Sequence, residues 1–120
     1  MSAMTISIRA ENPLTKEQRQ YDVAATTVAQ HFAVHREVRG HRLIDESIVY
    51  GKVWHVTHLP SGFQAAHAPN KKAAVHAAKM LAELPVPWAT LTVNDARKLK
   101  GEMRTQIDLI RGMARIGATP

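Results

Sequence analysis

The chain has 120 residues, of which 45% are hydrophobic, and it contains no cysteine. That length fits one domain with a modest core, the apolar content argues against wholesale disorder, and the lack of cysteine excludes disulfides, thiol catalysis and thiolate metal sites. The net charge of +6 and the isoelectric point near 10.1 favour an acidic partner such as nucleic acid, anionic lipid or an acidic protein surface. The N-terminus lacks an apolar signal segment and no apolar run approaches membrane-spanning length, so we expect a cytoplasmic protein that does not enter the membrane. Met1 and Met4 both remain open as the start.

The N-terminal third combines a short alternation with a helical pattern. Residues 1–13 alternate at Ile6 and Ile8, which fits either an edge strand or a loose tail. Thr15 then suits a helix N-cap, and Gln18 lies three residues on, as in a capping box. Apolar residues follow at helical spacing, namely Tyr21, Ala24, Ala25, Val28 and Phe32. This spacing predicts a helix from Thr15 to the low thirties, while residues 33–40 fit either its continuation or a strand.

The middle of the chain has the composition of strands. Leu43–Tyr50 is rich in β-branched residues, and Tyr50-Gly51-Lys52 predicts a turn into a second strand, Val53–Leu59. Pro60-Ser61-Gly62 predicts another turn, into a third strand over Phe63–Ala68. The large apolar residues of this hairpin share one alternation, which predicts a buried face of Trp54, Val56, Phe63 and Ala65.

Two helices are predicted after the strands. Asn70 is a good N-cap for the first, whose buried face we expect to be Ala74, Ala77, Ala78 and Leu81. Pro85 and Pro87 end it. The second begins at Thr92 and continues to Gly117.

These elements predict an α+β fold in which a three-stranded antiparallel sheet is packed by helices, in the order α-β-β-β-α-α, with a long C-terminal helix. Residues 1–13 would form the tail or edge strand, residues 14–88 the α-β-β-β-α core, and residues 89–117 the C-terminal helix of the same domain.

The basic residues concentrate on the two later helices, where rigid arrays of cations could bind phosphates. The candidate nucleic-acid-binding residues are Lys71, Lys72, Lys79, Lys100, Arg104 and Arg111. The alternative is a solvated helix face supported by an ion pair between Arg104 and Asp108.

The last helix also carries an apolar stripe, which includes Leu99, Met103, Ile107 and Ile110. These four residues form a candidate partner interface, since two other helices would already cover a short sheet. The stripe could pair two copies as a homodimer, or it could fold back over the sheet edge of its own chain.

Neither a metal site nor a catalytic site is predicted. All seven histidines lie between residues 31 and 76, but only His31 and His35 have zinc-ligand spacing on the expected helix, and no third ligand is fixed. His58 and His67 could meet across strands. No serine lies in a nucleophile motif and no glycine loop could hold phosphates, so we expect a protein that is not an enzyme and needs no cofactor.

Two families resemble parts of the chain. Residues 15–84 are similar in length and element order to a double-stranded-RNA-binding domain, and Lys71-Lys72-Ala73-Ala74 resembles the paired lysines that open that family's alanine-rich helix. The resemblance implies that Lys71 and Lys72 contact phosphates across the major groove. Gly51–Leu84 also resembles the arm-type DNA-binding domain of phage and transposon integrases, through Trp54, Gly62 and the Lys71-Lys72-Ala73 helix start.

The sequence therefore predicts a non-enzymatic nucleic-acid-binding module, such as a small phage- or plasmid-type accessory protein. The alternative is a protein-binding inhibitor or adaptor, for example of a host defence complex, that uses the same basic face.

Overall fold

The computed structural model describes residues 1–12 and 15–119. Within these ranges five strands precede three helices. The elements are β1 (Ser2–Glu11), β2 (Gln18–Val28), β3 (Phe32–His41), β4 (Ile48–His58), β5 (Gln64–Ala68), α1 (Lys71–Glu83), α2 (Val93–Lys98) and α3 (Gly101–Arg115). The strands pair antiparallel in chain order, as an up-and-down meander.

The helix expected from Thr15 to the low thirties is wrong. That stretch forms β2 and the start of β3, joined by a turn at residues 29–31. In β2 the buried residues Tyr21, Val23 and Ala25 alternate with exposed ones, which is the period of a strand. The same alanines and valines also fit a helical period, and pairing with β1 and β3 decides between the two.

The predicted three-stranded sheet is also wrong, since the sheet has five strands. The first three hairpins are hard to recognise in the sequence because their turns lack glycine at the bend. Lys16, Ala29 and Glu46 take positive φ angles of 62°, 50° and 58° in these turns. Non-glycine residues rarely adopt this conformation, so the residue at each bend does not itself indicate a left-handed turn. The β4–β5 turn was predicted correctly, since Gly62 with φ 77° supplies the usual residue.

Two smaller strand predictions change with this topology. Residues 42–47 form the β3–β4 turn instead of the start of a strand. Gly51 lies inside β4 instead of in a turn. The expected edge strand near Ile6 and Ile8 is present as β1, whereas the predicted boundary between tail and core, at residues 13 and 14, lies outside the described residues.

The main core lies between one face of the sheet and α1. Four buried alanines of α1 let it approach the sheet closely, and Leu81 fills the space beyond them. From the strands, Phe32, Val34 and Val56 are fully buried in the same cluster. The predicted α1, with its Asn70 cap and apolar face, is confirmed.

The opposite face of the sheet has a core of its own, because the sheet curls. Ile6, Tyr21, Val23, Ala25 and Ala33 form a second buried cluster. A cavity of about 220 Å³ on this side is lined both by residues 8–10 of β1 and by β3 and β4. The β1–β2 hairpin therefore lies over the face of the β3–β4 pair that α1 leaves uncovered.

The single long C-terminal helix is wrong as well. Thr92 and Asp95 form the expected capping box, but α2 ends at Lys98, and α3 begins only at Gly101. Gly101 has φ 68°, outside the right-handed helical region, so one helix cannot run through it. None of the helices in the described ranges is long and apolar enough to cross a membrane.

Candidate nucleic-acid interface

The start of α1 is fixed by its cap, and this places two lysines at the protein surface. The Asn70 side chain accepts a hydrogen bond of 2.8 Å from the backbone N–H of Ala73. Ala73 and Ala74 are buried against the sheet, whereas Lys71 and Lys72 are exposed. The cap and the small-residue face together hold these lysines on a rigid element.

Lys71 contacts an aromatic ring of the sheet. Its Nζ lies 5.9 Å from the centroid of the Trp54 ring. In the sheet Trp54 pairs with Arg36 of β3 on one side and with Ala68 of β5 on the other. The exposed Lys71 therefore lies over the half-buried ring, and the exposed Arg36 is the cross-strand neighbour of Trp54.

A second cation–aromatic contact extends this arrangement along the β3–β4 pair. The Arg36 guanidinium lies 5.1 Å from the centroid of the Tyr50 ring, and Tyr50 is 38% exposed. Arg36 also donates a hydrogen bond of 3.3 Å to the carbonyl of Gly51. Tyr50, Arg36, Trp54 and Lys71 thus form one continuous series, which we call the aromatic–cation row.

A shallow groove of about 590 Å³ lies beside the row. It is lined by Lys71, Lys72, Val75, His76 and Lys79 of α1, with Met1 and Thr119. We call it the lysine groove. Among the described residues no carboxylate forms an ion pair with any of its three lysines. Their charges are therefore free to meet an anion.

The remaining predicted cations lie elsewhere. Arg104 and Arg111, together with Arg97, surround a second groove of about 230 Å³. Its floor is apolar and is built from Phe63, Leu81, Trp88, Leu91, Leu99 and Ile107. We call it the arginine groove. The Arg104 Nε lies 3.4 Å from an oxygen of Asp108, so the predicted i,i+4 ion pair is present.

The six predicted nucleic-acid-binding residues therefore divide into two sets. Lys71, Lys72 and Lys79 share the lysine groove, whereas Arg104 and Arg111 line the arginine groove. Lys100 is exposed at the N-cap of α3 and makes no capping hydrogen bond. Of the two sets, the lysine set includes a residue with a cation–aromatic contact, Lys71 over Trp54.

The predicted partner interface is partly occupied by the chain itself. Ile110 is buried in the main core, and Met103 and Ile107 pack against that core while remaining partly exposed. Leu99 lies between α2 and α3 in the floor of the arginine groove. The helix thus folds back over its own chain, and the partly exposed Leu99 and Ile107 line that groove.

Three histidines are held neutral by burial. Desolvation lowers the pKa of His35 and of His58, and desolvation together with the neighbouring His35 lowers the pKa of His55 to about 4. The His35 Nδ1–H donates to the carbonyl of Arg36 at 2.9 Å, so its Nε2 accepts from the Thr57 hydroxyl at 2.7 Å. These bonds are structural and leave His35 no free nitrogen.

The histidines do not form the expected pairs. His31 lies in the β2–β3 turn and His35 is buried in β3, so the helical zinc spacing does not exist. His67 pairs with His55 and not with His58. Within the described ranges no three histidine or acidic side chains come close enough together to hold a metal ion.

The sequence pattern does not identify the aromatic–cation row as a functional surface. Trp54 was expected in the hairpin core, where Val56 and Ala65 are indeed buried, but Trp54 and Phe63 are only partly buried. The sequence pattern puts Tyr50 in a turn, and it leaves Arg36 in a segment that fits either a helix or a strand. The row follows from the register in which β3 pairs with β4. That register can be deduced from the sequence only if the turn at residues 42–47 is recognised first.

No protein-family model matches the chain, and no curated protein or solved structure shows significant similarity to it. The resemblances to a double-stranded-RNA-binding domain and to the integrase arm-type domain therefore stay predictions. Of the elements on which they depend, the Asn70-capped helix and the β4–β5 hairpin are present, whereas strands β2 and β3 stand where the first resemblance requires a helix.

Proposed function

We propose that the chain is a non-enzymatic nucleic-acid-binding module whose contact surface is the aromatic–cation row together with the lysine groove. The observation that carries this proposal is the position of the Lys71 ammonium over the Trp54 ring, with Arg36 at the cross-strand position beside Trp54. Cations beside accessible aromatic faces are the combination that single-stranded nucleic acids require.

Each component of the surface has a role in such binding. Tyr50 and Trp54 offer ring faces on which bases can stack, with a contribution of about 1–3 kcal/mol per base. Lys71, Lys72 and Arg36 lie close enough to those rings to meet the phosphates of the same strand. The sheet and the capped helix hold all of them in place before binding, which reduces the entropy lost on association.

Free cations determine how strongly binding depends on salt. Lys71, Lys72 and Lys79 have no carboxylate partner among the described residues, so phosphate contact releases counterions without first breaking an ion pair. If these three lysines and Arg36 each meet one phosphate, the log–log salt slope for a single strand is about −3. Affinity then falls roughly 50-fold between about 50 mM and about 200 mM salt.

The test is fluorescence anisotropy of a labelled oligothymidylate, titrated with the protein at both salt concentrations. We expect Lys71→Glu with Lys72→Glu to abolish binding, and Trp54→Ala to weaken it by roughly tenfold or more, as the loss of one stacked base predicts. The matched control is Lys16→Glu with Lys98→Glu, which makes the same change in net charge at two exposed lysines outside the row and the lysine groove. It should retain most of the affinity.

Circular dichroism must show that all variants are folded. If the test and control variants lost equal affinity, binding would depend on net charge alone, which would contradict the proposed surface. If the wild type binds neither single strand nor duplex at low salt, the proposal is wrong. Binding to an acidic protein is then the function to test, by pull-down after nuclease treatment.

We infer the cytoplasm as the compartment, because the chain has no cysteine to oxidise and nucleic acid is available there. Fractionation of cells that express a tagged chain tests this. Recovery in an extracytoplasmic fraction would contradict it.

A further inference from the structure

The β3–β4 turn presents two large apolar side chains to solvent. Leu43 is 78% exposed and Ile44 is 100% exposed, at adjacent positions. The turn is closed by backbone hydrogen bonds between Arg42 and Ser47 and between Glu46 and Arg42, of 2.8 and 2.9 Å. The apolar pair is therefore held out on an ordered turn, which we call the tip (residues 42–47).

Acidic groups follow the apolar pair directly. Asp45 and Glu46 are both exposed. The Asp45 carboxylate accepts hydrogen bonds from the backbone N–H and the hydroxyl of Ser47, and these bonds lower the pKa of Asp45. The tip thus combines an apolar anchor with two carboxylates and one cation, Arg42, and the Glu46 carboxylate lies 3.9 Å from the Arg19 guanidinium at the exposed edge of the turn.

The arginine groove has the complementary chemistry. Its floor is apolar, and Arg97, Arg104 and Arg111 surround it. Arg97 and Arg111 form no ion pair with any described carboxylate. An occupant with an aliphatic anchor and adjacent carboxylates would match both the floor and the rim.

The tip cannot reach the groove of its own chain. The tip precedes β4, whereas the groove is lined by Phe63 and Gln64, which follow β4. The 11 residues of β4 separate the two features by roughly 30–35 Å at about 3.3 Å per residue. Because they lie at opposite ends of the strand, two antiparallel copies could each offer a tip to the other's groove.

We propose that the arginine groove binds the tip of a second copy of this chain, with Leu43 and Ile44 against its apolar floor and Asp45 and Glu46 near its arginines. This contact does not depend on nucleic-acid binding. It involves Ile107 of α3 and Leu99 between α2 and α3, and the other half of the contact comes from the β3–β4 turn.

Disulfide trapping tests the contact directly, because the chain has no cysteine of its own. Tagged Ile44→Cys is mixed with Leu99→Cys under mild oxidation, and a parallel mixture pairs Ile44→Cys with Ser7→Cys, at an exposed position of β1. We expect the 44–99 heterodimer to form on the order of tenfold faster than the 44–7 heterodimer, since docking raises the effective concentration of the first pair. Equal rates would overturn the proposal.

Light scattering over a range of protein concentrations gives an independent result. The wild type should shift from 13.3 kDa towards twice that mass as concentration rises. Ile44→Asp should remain at the mass of one chain. Leu109→Asp, which alters an exposed residue of α3 outside the groove, should behave like the wild type. A wild type that stays monomeric, or a Leu109→Asp variant that also loses association, would contradict the tip-in-groove contact.

Discussion

The Nε2–H of His58 donates a hydrogen bond of 2.6 Å to the backbone carbonyl of Trp88. His58 is fully buried at the end of β4, and Trp88 lies in the segment between α1 and α2. Because a carbonyl can only accept, the proton is on Nε2, and Nδ1 accepts from the Ser61 hydroxyl at 2.7 Å. One neutral imidazole thus joins the β4–β5 turn to the linker that leads into α2 and α3.

Replacement of His58 by alanine should be strongly destabilising. The change opens a cavity and leaves the Trp88 carbonyl without its donor, so we expect a loss on the order of 3 kcal/mol in the free energy of unfolding. Ser61→Ala removes the partner of Nδ1 and a 3.3 Å acceptor of the Phe63 N–H at a partly exposed turn, and should cost about 1 kcal/mol. Urea denaturation measures both. Equal losses would contradict the role assigned to the buried Nε2–H bond.

The two tryptophans should respond differently to truncation. Trp88 is 6% exposed, donates its Nε1–H to the carbonyl of Leu81 at 2.9 Å, and packs edge-on against Phe32. Trp88→Ala should therefore cost about 3–5 kcal/mol in the free energy of unfolding. Half-buried Trp54→Ala should cost clearly less, while it weakens nucleic-acid binding. Thermal melts of the two variants measure this order. A lower melting temperature for Trp54→Ala than for Trp88→Ala would contradict it.

Ala29→Gly should stabilise the protein. Ala29 has φ 50° in the β2–β3 turn, where an L side chain is strained and glycine is not, so we expect a gain on the order of 1 kcal/mol. The control is Ala24→Gly, at an exposed position inside β2, which should lose about 0.5–1 kcal/mol. Chemical denaturation of both variants provides the comparison. A loss of stability at position 29 similar to that at position 24 would contradict the left-handed turn.

Stability should fall as the pH drops from about 6.5 towards 4. Burial lowers the folded-state pKa of His35 and His58, and that of His55 falls to about 4, so in this window the unfolded chain binds protons that the folded chain does not. This contribution to the free energy of unfolding is fully present above pH 6.5. It is lost as the pH falls towards 4, because in that range His55 is protonated in the unfolded chain but not in the folded chain. Unfolding midpoints measured at pH 7 and pH 5 should differ less for His55→Gln than for the wild type.

This pH window separates the histidines from the perturbed carboxylates. The pKa values of Asp45 and Asp95 are lowered from 3.8, mainly by hydrogen bonds from Ser47 and Thr92, so these groups act at lower pH. An unchanged pH dependence in His55→Gln would mean that the imidazole at position 55 is not responsible.

The sequence by itself determined the β4–β5 hairpin and α1. Asn70, the alanine spacing of α1 and the two prolines after it specify that helix through local capping and packing. Gly62 supplies the left-handed conformation that the β4–β5 turn needs, so this hairpin was also predictable. The predicted cations of α1 are exposed for the same local reason, since its alanines take the buried face.

Only the tertiary structure decided the first half and the composition of the candidate site. Residues 18–28 satisfy both a helical and a strand period, and long-range pairing with β1 and β3 selects the strand. The bends at Lys16, Ala29 and Glu46 are imposed by the pairing of the strands on either side of each turn, since none of these residues favours positive φ. The aromatic–cation row depends on the same register, because Arg36 and Trp54 are 18 positions apart in the sequence and become neighbours only when β3 pairs with β4. Local residue preferences extend over a few positions, whereas strand register is set by contacts between distant segments, and that is why the sheet and the surface built on it could not be deduced from the sequence alone.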